Sequence, residues 1–197
     1  MKIFYAMVVA VVLVCSGVAA QAAPVYTPDK VHSSIDFLIT HMMVARVSGA
    51  FTDYDGAIEF DPKEPASMKV DFTVKVAGID TKNEARDHHL RSADFFDAEK
   101  YPTITFKSKK VVATGNGQYA VTGDLTMKAV TKEITIPATL LGPVNNPMGG
   151  GQMIGVETHF TVNRQDYGVS WNKALDNGGI MVGNDVDVRV NLEAHSK

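Results

Sequence analysis

Apolar and polar residues alternate with a period of two along much of the chain. In residues 68–76 every second position is apolar, and Lys, Asp or Thr lies between. Residues 154–162 and 186–192 repeat this pattern. Because successive side chains of a strand point to opposite faces, each segment predicts a strand with one buried face. Weaker alternation predicts five further strands, over residues 34–41, 57–61, 103–108, 119–127 and 133–140.

Short connections between these segments indicate antiparallel pairing. Residues 114–118, Thr-Gly-Asn-Gly-Gln, predict a hairpin because Gly115, Asn116 and Gly117 can take positive φ, and residues 127–132 predict a second one. Pro137 cannot donate to a ladder, so its strand is expected to be an edge strand or to carry a bulge there. Short antiparallel strands fit a sandwich or a closed barrel, and periodicity does not choose between the two.

A polar segment interrupts the alternation and predicts a short helix. Thr81 and Glu84 have the spacing of a capping box, in which each side chain accepts a hydrogen bond from the other residue's amide. This spacing predicts a helix that starts at Lys82. Within the helix, Asp87 and Arg91 are four residues apart and are expected to pair.

The same segment contains the candidates for a metal or catalytic site. His88 and His89 are consecutive, so they lie about 100° apart on a helix and suit one ion less well than an i, i+4 pair. No paired cysteines, no His-Glu-x-x-His motif and no phosphate-binding loop accompany them. We therefore expect no metal and no cofactor here.

A structural role for the segment is the preferred interpretation. Arg86 and Asp87 are expected to tie it down by hydrogen bonds. Leu90, Phe95 and Phe96 are expected to plug an apolar opening at one end of the sheet, since an aromatic ring buries about 150 to 250 Å².

Two other polar groups give no catalytic signal. Ser33 lies next to His32 and near Asp36, but nothing marks the strained turn and oxyanion hole that Ser-His-Asp catalysis needs. Arg164 and Asp166 follow a predicted strand and are expected to form a salt bridge.

His41 has two possible roles. Ile35, Phe37 and Ile39 define the inner face of their strand, and His41 continues that phase. It is either a core histidine whose ring bonds a backbone carbonyl or a donor to the head group of a ligand.

The N-terminus predicts export. Residues 1–22 contain Lys2, an apolar run and the small-residue pattern Ala20-Gln21-Ala22, which together predict a secretory signal peptide. The run is shorter than the roughly 20 residues of a membrane-spanning helix, so no stable membrane span is expected. Cleavage would remove Cys15 and leave one domain of 175 residues, 23–197, without disulfide or thiolate chemistry. That domain has 18 Lys and Arg against 22 Asp and Glu, which disfavours nucleic acid as a partner.

Several segments together resemble the YceI-like family of bacterial periplasmic proteins, over nearly the whole of residues 23–197. The strongest match is "GIDTKNEARDHHLRSADFFDAEKYPTITFKS". "VHSSIDFLITHMMVARVSGAF", "VTGDLTMKAVTKEITI", "VNRQDYGVSW" and "VGNDVDVRVNLEA" also match. One departure is Ala129, where the family tends to have Gly, and it bears only on local turn geometry.

The resemblance implies an all-β fold, a lipocalin-like eight-stranded antiparallel barrel with one short helix closing an end. Family members are associated with binding polyisoprenoid chains, including quinone tails, or other long-chain amphiphiles. They are not known as enzymes, and some form dimers. The expected partner is therefore a long-chain isoprenoid or another amphiphilic lipid, bound in the periplasm.

Strand phase combined with this resemblance predicts a ligand-binding set. His41 is the candidate head-group contact, and eight residues are expected to line the tunnel or its end: Phe37, Phe72, Phe95, Phe96, Phe106, Met127, Phe160 and Trp171. Two alternatives remain open at this point. One is a filled barrel that acts as an interaction protein, and the other is a lipid-modifying enzyme that uses His41, His88 and Asp87.

Overall fold

The structure is a computed structural model that describes residues 22–176 and 178–196. The predicted signal peptide, including Cys15, lies outside the described residues except for Ala22. No helix in the described ranges is both long enough and apolar enough to cross a membrane.

Eleven strands form one antiparallel sheet in the described part of the chain. They are β1 (Val25–Pro28), β2 (Ser34–His41), β3 (Ala45–Phe51), β4 (Tyr54–Glu59), β5 (Lys69–Lys75), β6 (Ile79–Asp80), β7 (Thr103–Gly115), β8 (Gln118–Met127), β9 (Val130–Asn145), β10 (Gln152–Asn163) and β11 (Val182–Ser196). The one α-helix described, α1 (Glu84–Arg91), lies between β6 and β7, and short 3₁₀ turns cover 65–67, 76–78 and 164–167. Each of the eight strands predicted from alternation overlaps an observed strand. Strands β1, β3 and β6 were not predicted.

The sheet closes into a barrel through β11. Its first part pairs with β2, and its last residues pair with β1, which in turn pairs with β4. Because β1 and β2 occupy one position in the ring, β3 and β4 the next, and β5 and β6 the one after that, the eleven strands make an eight-stranded antiparallel barrel with α1 at one end. The fold implied by the family resemblance is confirmed.

The two ends of the barrel interior differ. At the end where β1 meets β11, Tyr26, Phe60, Ile154 and Ala194 are buried and fill the interior. Towards the other end some inward-facing residues, such as Leu125 and Val162, are buried, but Phe51, Met127 and Phe160 are only partly buried by their neighbours. The space left there contains the candidate site.

Both predicted hairpins are present. Gly115, Asn116 and Gly117 have positive φ between β7 and β8, and Lys128 has positive φ between β8 and β9. The expectation for Pro137 is confirmed locally: β9 lies inside the ring, but at Pro137 only β8 pairs with it, so this position is an edge on the side of β10. Pro137 is tolerated because the β9–β10 ladder ends one residue away, at Ala138, so no ladder hydrogen bond is lost there.

The predicted capping box is wrong. The N-cap of α1 is Asn83, whose side chain accepts a hydrogen bond from the Arg86 amide at 2.9 Å. Thr81 lies outside the helix, and its hydroxyl donates to Asp87. Asp87 is therefore buried against Thr81 and does not pair with Arg91, whose guanidinium donates to the Ile79 carbonyl at 3.4 Å.

The expected Arg164–Asp166 salt bridge is absent from the described residues. Asp166 pairs instead with Lys132 at 3.0 Å. The Arg164 side chain turns inward and donates only to backbone carbonyls. Although both residues lie on the same short 3₁₀ turn, the Asp166 carboxylate faces outward and the Arg164 guanidinium is buried.

Candidate functional site

A cavity of about 430 Å³ lies in the barrel between the filled end and the α1 segment. Its wall consists almost wholly of aliphatic, aromatic and Met side chains from the inner faces of the strands. Cavities of this size are typical of sites that enclose one small molecule. An eight-stranded barrel can be filled by its own side chains, and this one is not.

All nine predicted ligand-binding residues lie on the cavity wall. These are Phe37, His41, Phe72, Phe95, Phe96, Phe106, Met127, Phe160 and Trp171. Their position on the wall is a finding, whereas contact with a ligand stays a prediction.

Three strand glycines, which the sequence analysis did not select, leave room for these rings. Gly49 and Gly56 lie directly opposite Phe37 and Phe72 on neighbouring strands. A Cβ at Gly49 would lie 2.3 Å from Phe37 Cζ, and a Cβ at Gly56 would lie 2.2 Å from Phe72 Cδ2. A Cβ at Gly123 would lie 2.8 Å from Phe106 Cζ and 2.4 Å from the Lys107 carbonyl oxygen. Each phenyl ring therefore lies against the backbone of the glycine on the neighbouring strand, and the space inside the barrel stays open. A glycine inside an alternating strand is the available sequence signal for such a close approach.

Aromatic side chains continue from the barrel wall to the closing segment. The ring centroid of Phe51 lies 5.7 Å from that of Phe37 and 6.1 Å from that of Phe96. In the closing segment, the ring centroids of Phe95 and Trp171 are 5.2 Å apart. The His89 ring is edge-on to both, with its centroid 5.0 Å from each of theirs. The predicted plug of Leu90, Phe95 and Phe96 does border the cavity, and His89 joins it.

Hydrogen bonds hold the closing segment in place. The Thr81 amide donates to Asp87 Oδ1 at 2.9 Å, and Arg86 donates to the Thr81 carbonyl and hydroxyl, each at 2.7 Å. Lys128 Nζ donates to the Phe95 carbonyl at 2.8 Å and to the Gly168 carbonyl at 3.2 Å. The expectation that Arg86 and Asp87 tie down this segment is confirmed.

Arg164 places a buried guanidinium beside the cavity. It is 4% exposed and donates to the carbonyls of Gly183 at 2.7 Å, Val169 at 2.5 Å and Val182 at 3.2 Å. Burial lowers the pKa of Arg164 from its ordinary value. These bonds fix the chain on both sides of the connection that carries Trp171. No carboxylate forms an ion pair with this guanidinium in the described ranges.

His41 lies at the same end of the barrel. It is opposite Val182 in the β2–β11 pairing, and its side chain lines the cavity. Its imidazole makes no hydrogen bond to any of the described residues, so the core role with a carbonyl partner is not observed there. Next to it, Met42 and Met43 have φ of 50° and 64° and are exposed at the β2–β3 turn.

The acid-base set of an enzyme is not assembled. Asp87 is buried against Thr81, and His88 is exposed on α1. No hydrogen bond joins His41, His88 and Asp87 in the part of the chain that the structure describes.

Comparisons with known proteins agree on one family. The sequence model of the family described as the YceI-like domain matches residues 26–194. A UPF0312 protein of Staphylococcus aureus is 42% identical over 168 residues, which are 85% of this chain and 95% of that protein. BcnA of Burkholderia cenocepacia superposes with a TM-score of 0.73 at 25% identity, over 84% of this chain and 98% of BcnA.

A more distant structure shares the fold. A polyisoprenoid-binding domain from Saccharophagus degradans, implicated in plant cell wall breakdown, superposes with a TM-score of 0.66. The match covers 90% of this chain and 100% of that domain. At 14% identity it shows only that the two proteins share a fold.

Proposed function

The chain belongs to the YceI-like family, and we propose that it binds one long-chain amphiphile of the polyisoprenoid type, such as a quinone or prenyl lipid, and carries it through the periplasm. The distant barrel described as polyisoprenoid-binding supports the choice of ligand class. The predicted signal peptide over residues 1–22 supports export. Binding is proposed without chemical turnover.

The observation that carries the proposal is the open apolar cavity inside the barrel. Burying each methylene of a ligand contributes about 0.8 kcal/mol, so a long hydrocarbon needs few polar contacts to bind tightly. Few polar side chains reach the cavity wall, and this favours a hydrocarbon over a sugar or a charged metabolite. A hydrocarbon would also find matching side chains over most of its length.

The polar groups define which way the ligand lies. His41 and Arg164 line the cavity near Val182, whereas Tyr26 and Phe60 fill the far end. A head group therefore belongs at the His41 end, and the tail belongs towards the filled end. His41 is the head-group donor in this arrangement.

The experiment is native mass spectrometry on protein purified from bacterial periplasm without detergent. The chain offers a matched pair of variants on β10. Val156 lines the cavity, and its neighbour Glu157 points outward. Val156→Trp fills the lumen, whereas Glu157→Trp adds the same ring outside.

We expect wild type and Glu157→Trp to retain a hydrocarbon-rich species near one per chain and Val156→Trp to lose it. Extraction and identification of the released species then give its class. Bare masses for all three proteins, even after incubation with quinones and prenyl lipids, would reject the proposal and favour the interaction protein.

A further inference from the structure

Four titratable side chains gather on the outside of the barrel, away from the cavity. They are Asp29, His32, Glu193 and His195. Asp29 and His32 lie in the connection between β1 and β2, and Glu193 and His195 lie near the end of β11. Leu192 and Ala194 are buried, so Glu193 and His195 share the outer face of the strand.

The cluster marks the point where β11 changes partner. Asn191 is the last β11 residue opposite β2, and Ala194 is the first opposite β1. Between them the Asp29 amide donates to the Glu193 carbonyl at 2.8 Å, which fixes the connection against β11. The backbone therefore holds the four side chains close together.

The ligand atoms of Asp29, Glu193 and His195 lie close enough together for one small cation, and His32 lies beside the two carboxylates. His195 Nε2 lies 2.8 Å from Glu193 Oε1, while His32 Nδ1 lies 2.7 Å from Asp29 Oδ2 and 3.7 Å from Glu193 Oε1. Ligand atoms of Asp29, Glu193 and His195 all lie within 4.8 Å of one another. A tetrahedral ion with bonds of about 2.0 to 2.1 Å needs ligand atoms about 3.3 Å apart, and small side-chain movements reach that spacing.

The charges of the cluster also favour a bound cation. Neither carboxylate forms an ion pair with a Lys or Arg within residues 22–176 and 178–196, and only imidazoles face them. Two carboxylates held this close repel each other unless a positive charge lies between them. All four side chains are partly exposed, so an ion can reach them from solvent.

From this geometry we infer that Asp29, His32, Glu193 and His195 form a binding site for a divalent transition-metal ion of the zinc class. Two imidazoles and two carboxylates match Zn²⁺ better than Ca²⁺ or Mg²⁺, which take oxygen ligands. The ion would replace the hydrogens that each imidazole now shares with a carboxylate. It would also link the β1–β2 connection to β11 at the closure of the barrel.

The test uses untagged, chelator-treated full-length mature protein and Zn²⁺ alone, followed by isothermal titration calorimetry. We expect one Zn²⁺ per chain and a rise in melting temperature with zinc, because an ion that binds only the folded state stabilises it. Co²⁺ in place of Zn²⁺ is expected to show the visible absorption of a tetrahedral site.

Shape-preserving variants identify the ligands. Glu193→Gln and His195→Gln are expected to weaken Zn²⁺ binding more than about tenfold. The control His159→Gln, on the exposed face of β10, is expected to bind as wild type does. Circular dichroism of each variant shows whether it is folded.

Two results would overturn the inference: no zinc binding by folded wild type, or equal binding by Glu193→Gln and wild type. No zinc binding would mean that the four residues form only a hydrogen-bonded network. Equal binding by Glu193→Gln would mean that the ion binds at another site. The outcome is separate from the lipid proposal, because Val156→Trp should still bind zinc and Glu193→Gln should still retain lipid.

Discussion

The phenyl ring of Phe72 covers Gly56, the residue directly opposite it on the neighbouring strand. A Cβ at Gly56 would lie 2.2 Å from Phe72 Cδ2, closer than any packed side chain allows. The missing side chain therefore lets the ring lie against the wall, and the cavity depends on a residue that need not touch any ligand.

Gly56→Ala is expected to push the Phe72 ring into the lumen and to reduce the amount of lipid retained per chain. Overpacking of this kind costs about 1–3 kcal/mol of folding free energy. Native mass spectrometry measures occupancy, and urea denaturation measures stability. The control is Gly155→Ala, whose Cβ would meet Leu141 at an ordinary 3.4 Å. Equal occupancy in the two variants would show that the glycine does not set the lumen.

Asp87 is expected to matter for stability through Thr81. Asp87→Ala removes the acceptor of the Thr81 amide and hydroxyl, both in a buried position. Leaving buried donors unpaired costs about 1–3 kcal/mol, so the urea midpoint should fall. Glu84→Ala, at an exposed position of the same helix, should leave it nearly unchanged. A fall of equal size in both variants would contradict this assignment.

Asp187 is expected to contribute a pH-dependent part of the stability. The Arg46 guanidinium, and next the Thr161 hydroxyl, hydrogen-bond its carboxylate and hold the pKa of Asp187 below its ordinary value. A pKa that is lower in the folded state stabilises the fold above the unfolded pKa of about 3.9, and this stabilisation is lost as pH falls through the folded value.

The corresponding variant is Asp187→Asn. Its urea midpoint should lie below that of wild type at pH 7, and the difference should shrink below about pH 4. Asp185→Asn, at an exposed position on the same strand, is the comparison. A difference that stays constant down to pH 3 would mean that the Asp187 charge does not act through its folded-state pKa.

His41→Ala is expected to weaken ligand binding without abolishing it. One hydrogen bond to a head group contributes about 0.5–1.5 kcal/mol, which is up to about tenfold in affinity. Displacement of a fluorescent prenyl analogue measures the change, and His88→Ala on the exposed face of α1 is the control. If affinity is unchanged while conversion of a lipid substrate disappears, the protein is an enzyme and not a carrier.

The barrel strands could be predicted because each carries its own period-two signal. A buried inner face demands an apolar residue at every second position, whatever the neighbouring strand is. Strand β1 has only four residues and β6 only two, which is too short for a period to show. In β3, Gly49 takes an inward position directly opposite Phe37, so the alternation is broken there for a reason that lies on another strand.

Local polar patterns were less informative. The Thr81–Glu84 spacing fits a capping box, yet Asn83 caps the helix and Thr81 bonds Asp87. Arg164 and Asp166 are neighbours in sequence but face the interior and Lys132, respectively. Burial and geometry in the folded chain decide which partner a polar side chain binds, and a given spacing in the sequence is compatible with several partners.

The sequence by itself determined the inner face of the barrel and, through it, the six predicted cavity residues that lie on strands, whereas Phe95, Phe96 and Trp171 lie in connections between elements, where no strand period acts. Tertiary structure decided whether that face encloses space, because the room left by Gly49 and Gly56 depends on which residues lie opposite them. It also brought Asp29 within reach of Glu193, more than 160 residues away, where β11 changes from one partner strand to another. Periodicity is a property of one strand, whereas open volume and ion-binding clusters arise only where separate strands meet.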